Sequence, residues 1–404
     1  MNKYDSHFLM DCESVKDYCI DYLHFFDRDE KLLSEEIGDG NINYVFRIKS
    51  LDRNKSLVIK QADRLLRSSG RPLDLHRNKI EAAILNIEGE LAEGFVPKIY
   101  NYNENMFALA MEDISDYKNL RKKLLEGRKF IHLSENISTF LAKTLMATTD
   151  LVLSRDEKKK RVQLFTNIEL CDITEDLVFT EPYYNYKNRN IITQDNEEFV
   201  SKTLYNDEKL KANVGYLRNN FMNNAQALIH GDLHSGSIFI NDDGIKVIDP
   251  EFAFYAPMGY DIGNVIGNLF FVLINKVCTQ PKNQNFIDYI KNTIIDTLNL
   301  TMKKLESEFI SLVELPIYNE IFRQEYLRDV LSDSIGYAGT EMIRRTVGDS
   351  KVLEVTSVTD IDTRIRLERL LVLCGARFIK ERKNINSGEE LILIFKEVLE
   401  QYGI

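Results

Sequence analysis

The chain of 404 residues carries 52 lysines and arginines against 63 aspartates and glutamates, a formal net charge of −11, with 44% hydrophobic and 28% charged residues. The composition is ordinarily globular, and the acidic balance argues against a broad surface for nucleic acid or an anionic membrane. The length exceeds what one hydrophobic core usually supports, so two lobes are expected. Cys12, Cys19, Cys171, Cys278 and Cys374 are odd in number, scattered and free of CxxC spacing. They indicate neither a disulfide framework nor a zinc site, and reduced thiols in the cytoplasm are expected. The N-terminus lacks an apolar run of signal length, and the longest hydrophobic stretch, residues 262–277, is interrupted by Asn264, Asn268 and Asn275, which argues against secretion and membrane spanning.

In chain order, residues 32–37, 44–48, 56–61, 96–102 and 106–111 are short β-rich runs punctuated by turn residues, which predicts a twisted antiparallel sheet. Between the third and fourth runs, Ile80, Ala83, Ile84 and Ile87 recur at helical spacing, predicting one helix over residues 75–91. After the first run, Gly38-Asp-Gly40-Asn41 places two glycines between strands, where backbone N–H groups can approach a phosphate without a Cβ in the way. The same residues also make a plain hairpin turn. Lys60 ends the third run, where a fixed cation can meet nucleotide phosphates and an acid on the following helix. Glu81 is the first choice for that acid, with Glu88 and Glu90 as substitutes. At the end of the sheet, the backbone of Met111-Glu112-Asp113-Ile114 is placed to meet an adenine edge.

Beyond residue 112 the pattern turns helical, over residues 117–126, 137–151, 197–219, 260–276, 284–306, 317–346, 361–380 and 388–401. Residues 180–196, rich in tyrosine and asparagine, read as a surface loop, and the charge run from Arg155 to Arg161 reads as a solvated helix face. The expected fold is α+β and bilobal, with a small antiparallel-sheet lobe over residues 1–112 covering a nucleotide. A mostly helical catalytic and substrate-binding lobe follows over residues 113–404, the nucleotide lying between the two.

One polar stretch interrupts the helices. His230-Gly-Asp-Leu-His-Ser-Gly-Ser237 leads into two short strands, Ile238-Phe-Ile240 and Ile245-Lys-Val-Ile248, joined by Asn241-Asp-Asp-Gly244 and followed by Asp249-Pro-Glu251. Such a hairpin folds Asp249 back beside Asp232. Phosphoryl transfer needs a carboxylate to orient and deprotonate an acceptor hydroxyl, and metal ions to hold the polyphosphate. Asp232 suits the first role. Magnesium takes only one or two carboxylates besides substrate phosphates, so Asp249 and Glu251 suffice as its protein ligands. His230 is expected to brace the loop rather than act in chemistry, and Ser235 and Ser237 to satisfy backbone groups.

The order of glycine loop, strand lysine, helix glutamate, His-Gly-Asp loop and metal acid resembles the protein-kinase-like fold over nearly the whole chain. The loop form His-Gly-Asp-Leu-His is similar to the small-molecule branch containing aminoglycoside and choline kinases. Ser237 departs from the asparagine usual at its position, and Asp249-Pro-Glu251 stands where protein kinases have Asp-Phe-Gly. These departures resemble the 5-methylthioribose kinase family, as do Tyr260-Asp-Ile-Gly263 and Gly339-Thr-Glu-Met-Ile-Arg-Arg-Thr346. The resemblance implies ATP- and Mg²⁺-dependent phosphorylation of the 1-hydroxyl of S-methyl-5-thioribose by a cytoplasmic homodimer. It further implies that Asp232 is catalytic, that Lys60 binds phosphate, that Asp249 and Glu251 bind the metal, and that Arg344 and Arg345 bind the sugar substrate. Asp261 is implied to support the catalytic-loop backbone. Without the resemblance, two arginines near a helix C-terminus would be read as complementing its dipole.

Overall fold

Five antiparallel strands build the expected sheet: β1 (Leu32–Glu36), β2 (Asn43–Ser50), β3 (Ser56–Ala62), β4 (Ile99–Asn103) and β5 (Ala108–Glu112), in the spatial order β1-β2-β3-β5-β4. The computed structural model describes residues 3–37, 43–63 and 75–402. They divide into two compact units, Met1–Tyr117 with Lys246–Ala253, and Lys118–Ile245 with Phe254–Ile404.

In the first unit β3 lies at the centre of the sheet and is buried along almost all of its length, as its Leu-Val-Ile core requires. Helix α1 (His76–Leu91) packs on β4 and β5. A second apolar cluster joins Tyr4, Met10, Val15, Tyr18 and Phe26 from the N-terminal segment to Phe46, Ile48, Leu57 and Ile59. The last strand starts later than expected because Phe107 takes a left-handed backbone, φ 48°, in a turn before it. Residues 246–253 join this unit. The Val247 N–H donates to the Phe95 carbonyl at 2.7 Å, and Lys246 Nζ donates to Glu112 Oε2 at 2.9 Å.

The second unit is mostly helical. The strand β7 (Ile238–Ile240) forms where the sequence placed it, as does β8 (Ile245–Val247), whose last two residues belong to the first unit, and the Asn241 N–H donates to the Gly244 carbonyl across the turn. Two further strands, β6 (Ala227–Ile229) and β9 (Phe254–Ala256), pair antiparallel. The core helix α2 (Gly259–Thr279) is long and apolar enough to cross a membrane, but 89% of its most apolar stretch is buried inside the protein, as befits a core helix. It packs against α3 (Glu320–Val347), which in turn packs against α4 (Ile361–Glu381). Glycines make the close approach possible. A Cβ on Gly263 would stand 2.6 Å from the Ser334 carbonyl oxygen, and one on Gly339 would stand 2.5 Å from that of Gly375. The first turn of α2 carries Asp261 and the last turns of α3 carry Arg344 and Arg345, so this packing sets the spacing of these side chains.

The helix expected over residues 197–219 is broken at Asn206 and Asp207, and the Asp207 side chain caps a separate helix, Glu208–Asn223, by accepting the Leu210 N–H at 2.8 Å. Residues 168–179 form a further helix, outside those expected from the sequence. The Arg155–Leu164 helix is solvated along most of its charge run, with one exception. Lys158 is buried, donates to the Gln226 carbonyl at 2.8 Å and sits 4.1 Å from the centre of the Tyr255 ring.

Candidate active site

In the first unit the central strand delivers Lys60 between Val45 of β2 and Leu109 of β5. Its buried ammonium donates to Glu81 Oε1 at 2.7 Å and to Asp249 Oδ1 at 2.6 Å. Of the three acids considered for α1, Glu81 is thus the one that meets the lysine. Burial works against the Lys60 charge, but Asp249, Glu81 and Glu251 outweigh it and hold the ammonium well above its usual range, while burial pushes the Glu81 carboxyl up.

Asp249 has a left-handed backbone, φ 63°, a conformation that costs an L-residue roughly 1 kcal/mol and clusters at functional sites. Its side chain remains 48% exposed, open to a ligand beside its lysine. Glu251 is buried, with Arg77 Nε 3.4 Å from Oε2, and Arg77 also donates to Asn43 Oδ1 at 3.1 Å. Among the described residues no group of three or more histidine, cysteine or acidic side chains is placed to hold a metal ion by itself. Two hard carboxylates fit magnesium, which takes its remaining ligands from water and phosphate. At the end of β5, the Glu112 N–H donates to the Lys98 carbonyl at 2.8 Å and the Ile114 carbonyl accepts the Tyr117 N–H at 2.9 Å. Gly38, Gly40 and Asn41 lie outside the described residues.

In the second unit the loop from His230 to Ser237 is held from beneath. Asp261 Oδ2 accepts the His230 N–H at 2.7 Å and Oδ1 accepts the Gly231 N–H at 3.1 Å. Gly231 has φ +84°, where a side chain would be strained, and the next residue presents Asp232. The His230 ring accepts the Asp232 N–H through Nδ1 at 3.3 Å, a bracing role. Ser237 is also spent on the loop, its N–H donating to His234 Nδ1 at 3.0 Å and its hydroxyl to the Asp232 carbonyl at 3.4 Å. Because His234 Nδ1 accepts that N–H, the ring proton sits on Nε2, which faces Asp232 Oδ2 at 3.6 Å.

The arginine pair does more than complement a helix dipole. Arg344 and Arg345 each direct a terminal nitrogen to Asp232 Oδ1, at 3.1 and 3.0 Å. Burial alone would raise the Asp232 carboxyl, but the His234 ring, which is charged only at acidic pH, and the Arg345 and Arg344 guanidinium groups outweigh it and hold the group well below the usual carboxylate range. Asp232 is therefore ionised at neutral pH. Burial pushes the neighbouring His234 ring down to about 4, so it stays neutral there.

Residues 167–275 match the phosphotransferase enzyme family. The methylthioribose kinase of Geobacillus thermodenitrificans is 37% identical over 373 residues, covering 91% of each chain, and that of Exiguobacterium sibiricum is 38% identical over 371 residues, covering 90% of this chain and 91% of its own. The chain belongs to the methylthioribose kinase family. Among solved structures, choline kinase from Cryptosporidium parvum is similar at 14% identity and a TM-score of 0.49 over 97% of each chain.

Several polar residues that brace these groups were not expected from the sequence. Arg121 donates to Ser235 Oγ at 3.2 Å and to Asn268 Oδ1 at 2.9 Å, and Asn268 Oδ1 also accepts the Ser235 N–H at 3.2 Å. Asn268 carried a signal, since an amide inside an apolar helix needs partners. Glu341 and His234 stood within motifs already singled out, and Arg77 gave no local sign of its place beside Glu251.

Proposed function

We propose that this methylthioribose kinase family member transfers the γ-phosphoryl group of ATP to the 1-hydroxyl of S-methyl-5-thioribose, giving S-methyl-5-thioribose 1-phosphate in methionine salvage. The observation that carries the reading is the convergence of Arg344 and Arg345 on Asp232. It places fixed donor forks, suited to sugar and phosphate oxygens, around one ionised carboxylate.

In this reading Asp232 orients the 1-hydroxyl and takes its proton as the bond to phosphorus forms, while the bond to the ADP leaving group breaks. A carboxylate of low basicity is adequate because phosphoryl transfer passes through a loose transition state in which positioning and charge neutralisation dominate. Arg344 and Arg345 keep their charge throughout and offset that of the transferred group. Lys60, fixed by Glu81, binds ATP phosphate oxygens, with residues 1–112 as the nucleotide lobe and residues 113–404 as the catalytic and sugar-binding lobe. The glycine pair Gly38 and Gly40 with Asn41, and the backbone at Glu112 and Ile114, are assigned to the nucleotide. Asp249 and Glu251 would hold Mg²⁺, which when bound neutralises polyphosphate charge. The family resemblance adds a cytoplasmic homodimer with no nucleic-acid or membrane partner.

A related kinase of choline, homoserine or an aminoglycoside is the second reading. A cationic acceptor calls for acids or aromatic rings at its binding site, whereas two guanidinium groups surround Asp232. A catalytically inactive nucleotide-binding protein would keep the fold, but Asp232, Asp249, Glu251 and Lys60 are all in place. A coupled ADP-release assay over methylthioribose, ribose, choline, homoserine and an aminoglycoside separates these readings. Turnover confined to methylthioribose supports the assignment, equal rates with ribose remove its thioether specificity, and no turnover with any acceptor leaves the inactive reading.

A further inference from the structure

Glu341 lies on α3 one helical turn before both arginines and is buried. Its two oxygens divide the pair between them. Arg344 Nε donates to Oε2 at 2.5 Å and Arg345 Nε donates to Oε1 at 3.2 Å. Each guanidinium thereby has its Nε edge tied down and a terminal nitrogen left to reach Asp232. Two long cationic side chains meeting at one oxygen repel each other and have many rotamers, so the convergence needs a restraint. Asn268 joins that restraint to the catalytic loop. Its amide nitrogen donates to Glu341 Oε1 at 3.2 Å, while its oxygen accepts the Ser235 N–H at 3.2 Å.

We propose that Glu341 is a positioning residue for phosphoryl transfer, clamping Arg344 and Arg345 so that the acceptor hydroxyl meets a preformed set of donors around Asp232. The proposal rests on the kinase reading above. It differs from a general charge-balancing role, in which Glu341 offsets the local cations Arg121, Arg344 and Arg345 alongside the other acids Asp232, Asp261 and Glu354. A clamp acts only through the two arginines, whereas charge balance acts whether or not they are there.

The test is a mutant cycle on the full chain with wild type, Glu341→Gln, the pair Arg344→Gln and Arg345→Gln, and the triple variant, each checked for a cooperative thermal transition. Glu341→Gln is expected to lower kcat/KM for methylthioribose about 100-fold, the usual scale for a misplaced catalytic constellation, with the KM for ATP within about twofold of wild type. In the arginine-free background the same substitution is expected to change activity by no more than about twofold, because coupled residues are non-additive. Effects that multiply independently overturn the clamp, as does an ATP KM that rises in step with the sugar KM. If Glu341→Gln does not fold, Glu341→Asp keeps the charge but draws it back by one methylene. The same loss of kcat/KM for methylthioribose with a near-wild-type ATP KM is then expected, and wild-type kinetics overturn the clamp. An inactive wild-type enzyme overturns the activity itself, whereas an active wild type with an additive cycle overturns only the clamp.

Discussion

Asp261→Asn changes one atom type in a buried residue that supports the loop from His230 to Ser237. The carboxylate now accepts two backbone N–H groups, from His230 at 2.7 Å and from Gly231 at 3.1 Å. The amide keeps one oxygen and turns an NH₂ toward the other N–H, so one bond is lost and two donors face each other. A hydrogen bond to a charged acceptor contributes about 1.5–3 kcal/mol, and a stranded buried donor costs about 1–3 kcal/mol, which together suggest a loss of about 3 kcal/mol. At roughly 2 °C per kcal/mol for a unit of this size, the melting temperature falls by about 6 °C. A shift of ~1 Å in Asp232, one residue beyond Gly231, lowers kcat about 100-fold. Thermal denaturation followed by circular dichroism, with steady-state kcat at saturating ATP and acceptor, reads both. A variant that melts within about 1 °C of wild type and turns over at full rate would show that Asp261 does not support the loop.

Three other perturbations have defined outcomes. Lys60→Met leaves Glu81 buried without its cation, so urea denaturation is expected to report a loss of about 3 kcal/mol and kinetics a raised KM for ATP, and an unchanged ATP KM would separate Lys60 from the nucleotide. Because burial lowers the His234 pKa from 6.5 to about 4, the folded chain binds fewer protons than the unfolded one between those values. The contribution of His234 is therefore fully present above pH 6.5 and is lost as the pH falls toward 4, by up to about 3 kcal/mol. His234→Asn should flatten that part of the stability–pH curve, and an identical slope would contradict the buried neutral ring. Cys19 and Cys374 are buried thiols whose pKa values burial raises, so they should resist a thiol reagent at pH 8 until the chain unfolds. Rapid labelling of either in the native protein would contradict that packing.

The strands and α1 were legible because they depend on local alternation and spacing, and the central loop because its acids lie close together in sequence. Lys60 and Glu81 are 21 residues apart, separated by little more than one strand-to-helix connection. Arg121 and Asn268 are 147 residues apart, and Asn268 and Glu341 are 73 apart. No local pattern encodes such meetings, which depend on how segments distant in sequence pack together. The break at Asn206 and Asp207 was visible as a capping residue inside an apolar repeat, but the repeat dominated the reading. Lys158 shows the same limit in reverse: a charge run looks solvated until Tyr255 and the Gln226 carbonyl pack over one member. β6 and β9 have three residues each, as β7 and β8 do, but they lack the Asn241-Asp-Asp-Gly244 turn that marks the β7–β8 pair as a hairpin.

The most direct measurement follows the phosphorus. Wild-type protein and Asp232→Ala are each incubated with ATP, Mg²⁺ and methylthioribose, and the products are read by ³¹P NMR while ATP binding is measured separately by titration. Wild type should convert the γ-phosphate signal into a single sugar 1-phosphate coupled to the anomeric proton. Asp232→Ala should form it at least about 10²-fold more slowly with ATP affinity little changed. Phosphate appearing on another hydroxyl, or an Asp232→Ala variant with wild-type turnover, would contradict the assignment of this carboxylate to the 1-hydroxyl.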